Sequence, residues 1–231
     1  MSERLTAVRD RRAVLRNGLG VAAALALPGG ASANGGAGAR LIGQGQGAAA
    51  ASVPAAPLTS SRVVRPELLR RALAALDRHG DRLLHRDRIA IADFAAPSRE
   101  ARFHFVDLAG GSSQSMLVAH GRGSDPSHTG WLSRFSNDDG SFASCEGAFL
   151  AGDYYVGKHG QSQRLHGLDP TNSNALARAI VVHSAWYSNP DMISSHGMLG
   201  RSEGCFAVGE RDLARAFAML GQGRMIYAAK V

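Results

Sequence analysis

The sequence predicts a mainly β domain with one helix before it and a second helix near its end. Three observations predict it. Polar and apolar residues alternate through several short segments between residues 88 and 228, the period of half-buried strands. Gly- and Asp-rich turns separate those segments, for example Asn137-Asp138-Asp139-Gly140. Two stretches alone place apolar residues at helical spacing, and no internal repeat is visible.

The first helix begins at Arg65-Pro66-Glu67, where proline in the first turn with glutamate beside it is a start signal. Leu68, Leu69, Ala72, Leu73 and Leu76 then form an apolar stripe, and His79-Gly80 is the stop. Residues 88–94 and 102–108 alternate as strands do. Further strands are expected over residues 115–119, 154–156, 164–168, 179–183 and 225–228. The second helix covers residues 212–220, with Leu213, Phe217 and Leu220 inward. Residues 194–200, rich in Ser and Gly, read as a loop.

Two segments precede this domain. Arg11-Arg12 stand before an apolar run over residues 18–27, which Pro28-Gly29-Gly30 breaks and Ala31-Ser32-Ala33 follows. A basic start, a short apolar core and an A-x-A end describe a signal peptide over residues 1–33, and the paired arginines resemble a twin-arginine signal. The run is half the length of a bilayer span, about 20 residues, so no stable span is expected in the mature form. An uncleaved amphipathic anchor is the alternative. Residues 34–60 are mostly Gly, Ala, Gln, Ser and Pro and read as a flexible spacer. The domain is then residues 61–231, in an exported protein of the periplasm or envelope.

The 231 residues carry a formal charge of +7, but five arginines fall within the first 33 residues. The remainder holds 21 basic and 17 acidic residues, a net of +4. The basic residues form no runs with interleaved aromatics, so nucleic-acid binding is not expected. Two cysteines sixty positions apart, Cys145 and Cys205, imply no disulfide scaffold. Oligomeric state has no signature here.

Chemistry concentrates in Gly200-Arg201-Ser202-Glu203-Gly204-Cys205-Phe206-Ala207-Val208. Glycine before a cysteine allows close backbone approach to a ligand, and the N–H groups of Gly204 and Cys205 could form an oxyanion hole. A cysteine nucleophile needs a base, and His183 closes the apolar run Ala179-Ile180-Val181-Val182. A histidine at a strand end is held rigidly at the rim. Either signal alone is weak.

Taken together, residues 121–208 resemble the YkuD-type L,D-transpeptidases, especially the murein L,D-transpeptidase catalytic domain branch. The matching text is His120-Gly121-Arg122-Gly123, Phe135-Ser136-Asn137 with Gly140-Ser141, and Gly157-Lys158-His159-Gly160. It continues through Arg164-Leu165 with Gly167-Leu168, Arg178 to His183, and Gly197 to Val208, all in one order. The resemblance implies a β-rich fold, Cys205 as nucleophile and His183 as base. It also implies peptidoglycan stem peptides as substrate, a Cys thioester formed with loss of D-alanine, and transfer to an amine (a 3–3 cross-link) or to water. No metal or other cofactor is required.

Three residues depart from the pattern: Ser184 stands where relatives have Gly, Glu203 where His or Lys is frequent, and Phe206 where Pro is usual. A carboxylate aimed at the thiol would raise its pKa, so Glu203 is expected to face solvent. Ser202 is a candidate for orienting the loop and Arg201 for binding a substrate carboxylate. His120, His159 and Arg164 are candidates for lining the cleft or for structural hydrogen bonds, and His196 is a rival base. Cys145 reads as a small buried residue, with a redox pairing to Cys205 as the bolder alternative. Two other functions stay open: a zinc peptidase of the wall, although no His-Glu-x-x-His appears, and a non-catalytic wall-binding protein.

Overall fold

The structure, a computed structural model, describes residues 63–231, which lie within the compact unit spanning residues 51–231. The signal segment 1–33, the whole spacer 34–60 and residues 61–62 lie outside the described residues. Helix α1, Pro66–Arg78, buries Leu68, Leu69, Ala72, Ala75 and Leu76, which is the stripe expected from the sequence. Eight strands follow: β1 (Arg88–Asp93), β2 (Phe103–Asp107), β3 (Ser113–Met116), β4 (Gly147–Gly157), β5 (Gly160–Gly167), β6 (Val181–Ser184), β7 (Phe206–Val208) and β8 (Met225–Ala229). Two more helices complete it, α2 (Asp191–His196) and α3 (Leu213–Leu220).

The strands form one sheet in the order β3-β2-β1-β8-β4-β5-β6-β7. Pairings are antiparallel except β1 with β8 and β6 with β7, which are parallel. The α1 stripe packs with Ile89, Ile91, Val106, Ala148, Met225 and Tyr227 in one cluster. The alternate residues of the same strands face a second, larger cluster that includes Phe94, Phe103, Phe149 and Phe206 with Leu213 and Ala216 of α3. Period-two alternation thus feeds two separate cores from one sheet.

The two sheet edges approach each other. Beyond β3 the chain runs through Val118 and Ala119, whose N–H donates to Ala207 O of β7 at 2.8 Å. Phe103 of β2 stacks on Phe206 of β7 with centroids 5.9 Å apart. Arg102, 1% exposed, lies along this seam: its Nε and Nη2 donate to Val118 O, and its Nη1 to Ala96 O at 2.8 Å.

Several elements differ from expectation, among them β7, which was not expected as a strand, and β5, which begins four residues early at Gly160. β4 starts seven residues before the expected strand, because Gly147–Leu150 pairs with β8 and the bulge between Ala151 and Tyr154 hides the alternation. β3 sits two residues earlier than expected, its alternation ending at Met116 before the chain leaves for the seam. Part of the expected Ser/Gly loop is α2, which packs Met192 and Ile193 beside Leu199 and Ala207 and stops at Gly197, φ +75.

Candidate functional site

β6 and β7 lie side by side and parallel, with His183 opposite Ala207. Cys205 enters β7 two residues before Ala207, so its side chain shares a face with that of His183. Val182 and Phe206, of opposite parity, point into the large core and anchor both strands. His183 and Cys205 together line a cleft of about 380 Å³ with Tyr155, His159, Arg178 and Glu203. A larger groove of about 750 Å³ beside Trp131, Arg65 and Asp93 is lined by neither cysteine.

The loop before Cys205 is set by its own hydrogen bonds. Ser202 Oγ donates to Cys205 O at 2.7 Å and accepts from Gly204 N–H at 3.2 Å. Gly204 has φ +113, and a Cβ there would lie 2.7 Å from Ala143 O and from Ile180 Cδ1. Only glycine fits. The Gly204 N–H is therefore engaged, whereas Cys205 N–H has no acceptor among the described residues. Of the two expected oxyanion donors, one remains uncommitted.

Protonation follows from burial and partners. Burial pushes the Cys205 thiol up, opposed by the Val181 N–H beside the sulfur and by the charge of Lys158; Sγ also approaches Ala179 O at 3.5 Å. His183 is 1% exposed, and burial lowers it to about 4. Its Nδ1 lies 2.8 Å from Ser184 O. A carbonyl only accepts, so Nδ1 carries the proton and Nε2 keeps its lone pair. At neutral pH the site holds a neutral imidazole with a free basic nitrogen and a neutral thiol.

The other candidates divide. His159 is in the cleft, its ring 4.2 Å from that of His183 at 18° between planes. Glu203 is half-exposed at the rim, 3.3 Å from Arg122 and 3.9 Å from Lys158, facing solvent as expected. Arg201 lines the cleft but spends Nη1 on the carbonyls of Asp125 and Pro126.

His120 is not brought into the cleft. It is fully buried, with Nδ1 2.7 Å from Arg102 Nη2 and Nε2 3.4 Å from Asp125, and burial first, then Arg102, lowers it to about 3. Its carbonyl does reach the site, accepting from Ser202 N–H at 2.9 Å. Arg164 is also outside the cleft wall, stacked on Tyr155 at 4.1 Å and paired with Asp153. His196 ends α2, exposed and off the cleft.

Four polar cleft residues, Tyr155, Lys158, Arg178 and Tyr187, were not singled out from the sequence. Arg178 donates to Ser136 O, Ala143 O and Cys145 Sγ, fixing the segment against which Gly204 packs. Tyr187 and Lys158 complete the wall. Arg178 and Lys158 did lie within the quoted motif text; nothing in the sequence around Tyr187 marks it. Cys145 is buried and, like Cys205, a free thiol; Arg178 holds its sulfur at 2.8 Å. Among the described residues no three His, Cys, Asp or Glu side chains gather with metal-ligand spacing.

Comparison with known proteins extends over most of the chain. The family model for the L,D-transpeptidase catalytic domain (YkuD_2) matches residues 60–229. No curated protein matches significantly. Among solved structures, an L,D-transpeptidase from Mycobacterium smegmatis is similar at 16% identity over 62% of this chain and 58% of that chain, with a TM-score of 0.38. L,D-transpeptidase 3 from Mycobacterium tuberculosis is similar at 11% over 62% and 61%, TM-score 0.40. The helical cell shape determining protein Pgp2 from Campylobacter jejuni gives 11% over 68% and 53%, TM-score 0.42. The chain spans less than two thirds of the length of each.

Proposed function

The chain belongs to the L,D-transpeptidase catalytic domain family, and we propose that it is a peptidoglycan L,D-transpeptidase with Cys205 as nucleophile and His183 as general base. One observation carries the residue assignment. A free thiol and a neutral imidazole share a face of adjacent parallel strands in one cleft, and the imidazole's Nδ1–H is tied to Ser184 O. That bond leaves Nε2 as the nitrogen that takes a proton.

The thiol proton passes to His183 Nε2, and the sulfur attacks the carbonyl between the diaminoacid and D-alanine of a tetrapeptide stem. The Cys205 N–H stabilises the oxyanion. The C–N bond breaks, His183 returns the proton to the leaving amine, and D-alanine departs. An amine of a second stem, or water, then attacks the thioester, gives its proton to His183, and releases the thiolate, which His183 reprotonates. Arg201, Arg178 and Lys158 make the rim cationic, which suits the carboxylates of a stem peptide. An envelope location belongs to the same proposal, motivated by the signal-like segment 1–33.

The test is incubation with disaccharide-tetrapeptide muropeptides, followed by mass spectrometry beside a Cys205→Ala control. Loss of D-alanine with a 3–3 dimer, absent from the control, is the expected result. Tripeptide without dimer would make the acceptor water. An unchanged muropeptide in both samples would contradict the enzyme reading and favour a wall-binding protein.

A further inference from the structure

The tip of the β4–β5 hairpin reaches the base. The two strands pair to their last residues, Gly157 with Gly160, so Lys158 and His159 alone form the turn, and Gly160 takes φ +73. Ser162 of β5 pairs with His183 of β6, which sets the hairpin directly beside the base. The exposed His159 ring lies nearly parallel on the buried His183 ring, at 4.2 Å and 18°. The neighbouring Lys158 reaches Glu203 of the nucleophile loop at 3.9 Å, and Glu203 reaches Arg122 at 3.3 Å. The hairpin tip therefore touches the base through His159 and the nucleophile loop through Lys158.

We propose that His159 is a positioning residue for His183: its neutral ring holds the base's ring in place, and that hold is lost when His159 takes a proton. The proposal rests on His183 being the base. In the first step His183 becomes an imidazolium. A neutral ring stacked on it tolerates that charge, whereas an imidazolium at the same distance repels it. Of the groups facing the pair, Lys158 on the hairpin adds to this repulsion and Glu203 on the nucleophile loop offsets it. Arg178 and Arg201 add positive charge from the cleft wall. The Cys205 thiol and the Tyr187 phenol, both pushed up by burial, stay neutral over the acid range. A proton on His159 thus adds to the acid limb that protonation of His183 itself sets.

The experiment measures alkylation of Cys205 by iodoacetamide on the full chain, from about pH 4.5 to about pH 8. Peptide mass mapping scores Cys145 separately, and D-alanine release from muropeptide is measured in parallel. His159→Ala is expected to slow alkylation roughly ten-fold and to lower kcat with KM within about two-fold. His159→Phe, flat and without a titrating nitrogen, is expected to keep the neutral-pH rate within about three-fold and to extend it to lower pH. Wild-type alkylation rates and acid limb in His159→Ala would overturn the proposal. So would His159→Phe as slow as His159→Ala, or a loss confined to KM, which marks a substrate contact instead. Alkylation needs no peptidoglycan. The expected alkylation pattern without D-alanine release would therefore overturn the substrate reading alone.

Discussion

At the scale of single residues, reactivity depends on which polar groups keep a free valence. His183 offers Nε2 because Ser184 O claims Nδ1. His183→Gln is expected to reduce D-alanine release by roughly 10²–10⁴-fold, the range for loss of a general base, with KM little changed; a loss under ten-fold would contradict the assignment. Gly204→Ala is expected to disable the site without touching the thiol. Its φ of +113 and the 2.7 Å approach of Ala143 O leave no room for a methyl group, so alkylation of Cys205 should slow although the thiol itself is unaltered. The sequence exposed Cys205, His183, Gly204 and Ser202 because the Gly-Cys motif and the strand-ending histidine carry their own signal. It placed His120 ambiguously. Whether a histidine beside a glycine-rich turn meets substrate or is satisfied inside depends on Arg102 and Asp125, which come from other parts of the chain.

At the scale of elements, the long, periodic ones were legible and the short, tertiary ones were not. α1, β1, β2, α3 and β8 follow from apolar stripes and alternation that each segment carries by itself. The three-residue β7 and six-residue α2 exist because neighbours complete them: β6 on one side, and Leu199 with Ala119 on the other. The seam between the sheet edges is likewise invisible locally, since it hangs on Arg102 bridging Ala96, Val118 and His120. Arg102→Leu removes a donor from each of these acceptors while burying no compensating bond. A loss of about 3–5 kcal/mol in unfolding free energy is expected. Chemical denaturation checks it, and a change below about 1 kcal/mol would mean that the seam does not depend on this side chain. For comparison, Leu68→Ala in α1, a fully buried position, should cost about 2–5 kcal/mol through the cavity it leaves.

At the scale of the whole molecule, buried histidines tie stability to pH, His120 and His183 most strongly, with His104 lowered by burial in the same sense. His120 and His183 are lowered to about 3 and about 4, chiefly by burial. In the unfolded chain each titrates near 6.5. Below that pH the unfolded state binds protons that the native state refuses. The stabilisation is complete above about pH 6.5 and is lost as pH falls toward the folded values, by up to about 1.4 kcal/mol per pH unit for each histidine. Urea midpoints between about pH 7 and pH 5 should fall accordingly. His120→Asn, though less stable throughout, should show a shallower slope; an equal slope would remove His120 from the explanation.

If Cys205 carries the acyl group, acid-quenched mass measurement will find it there. The full chain is mixed with disaccharide-tetrapeptide, quenched, digested and mapped. An adduct equal to the donor less D-alanine is expected on the peptide containing Cys205, and none in Cys205→Ala. An adduct elsewhere, or D-alanine released equally well by Cys205→Ala, would contradict it.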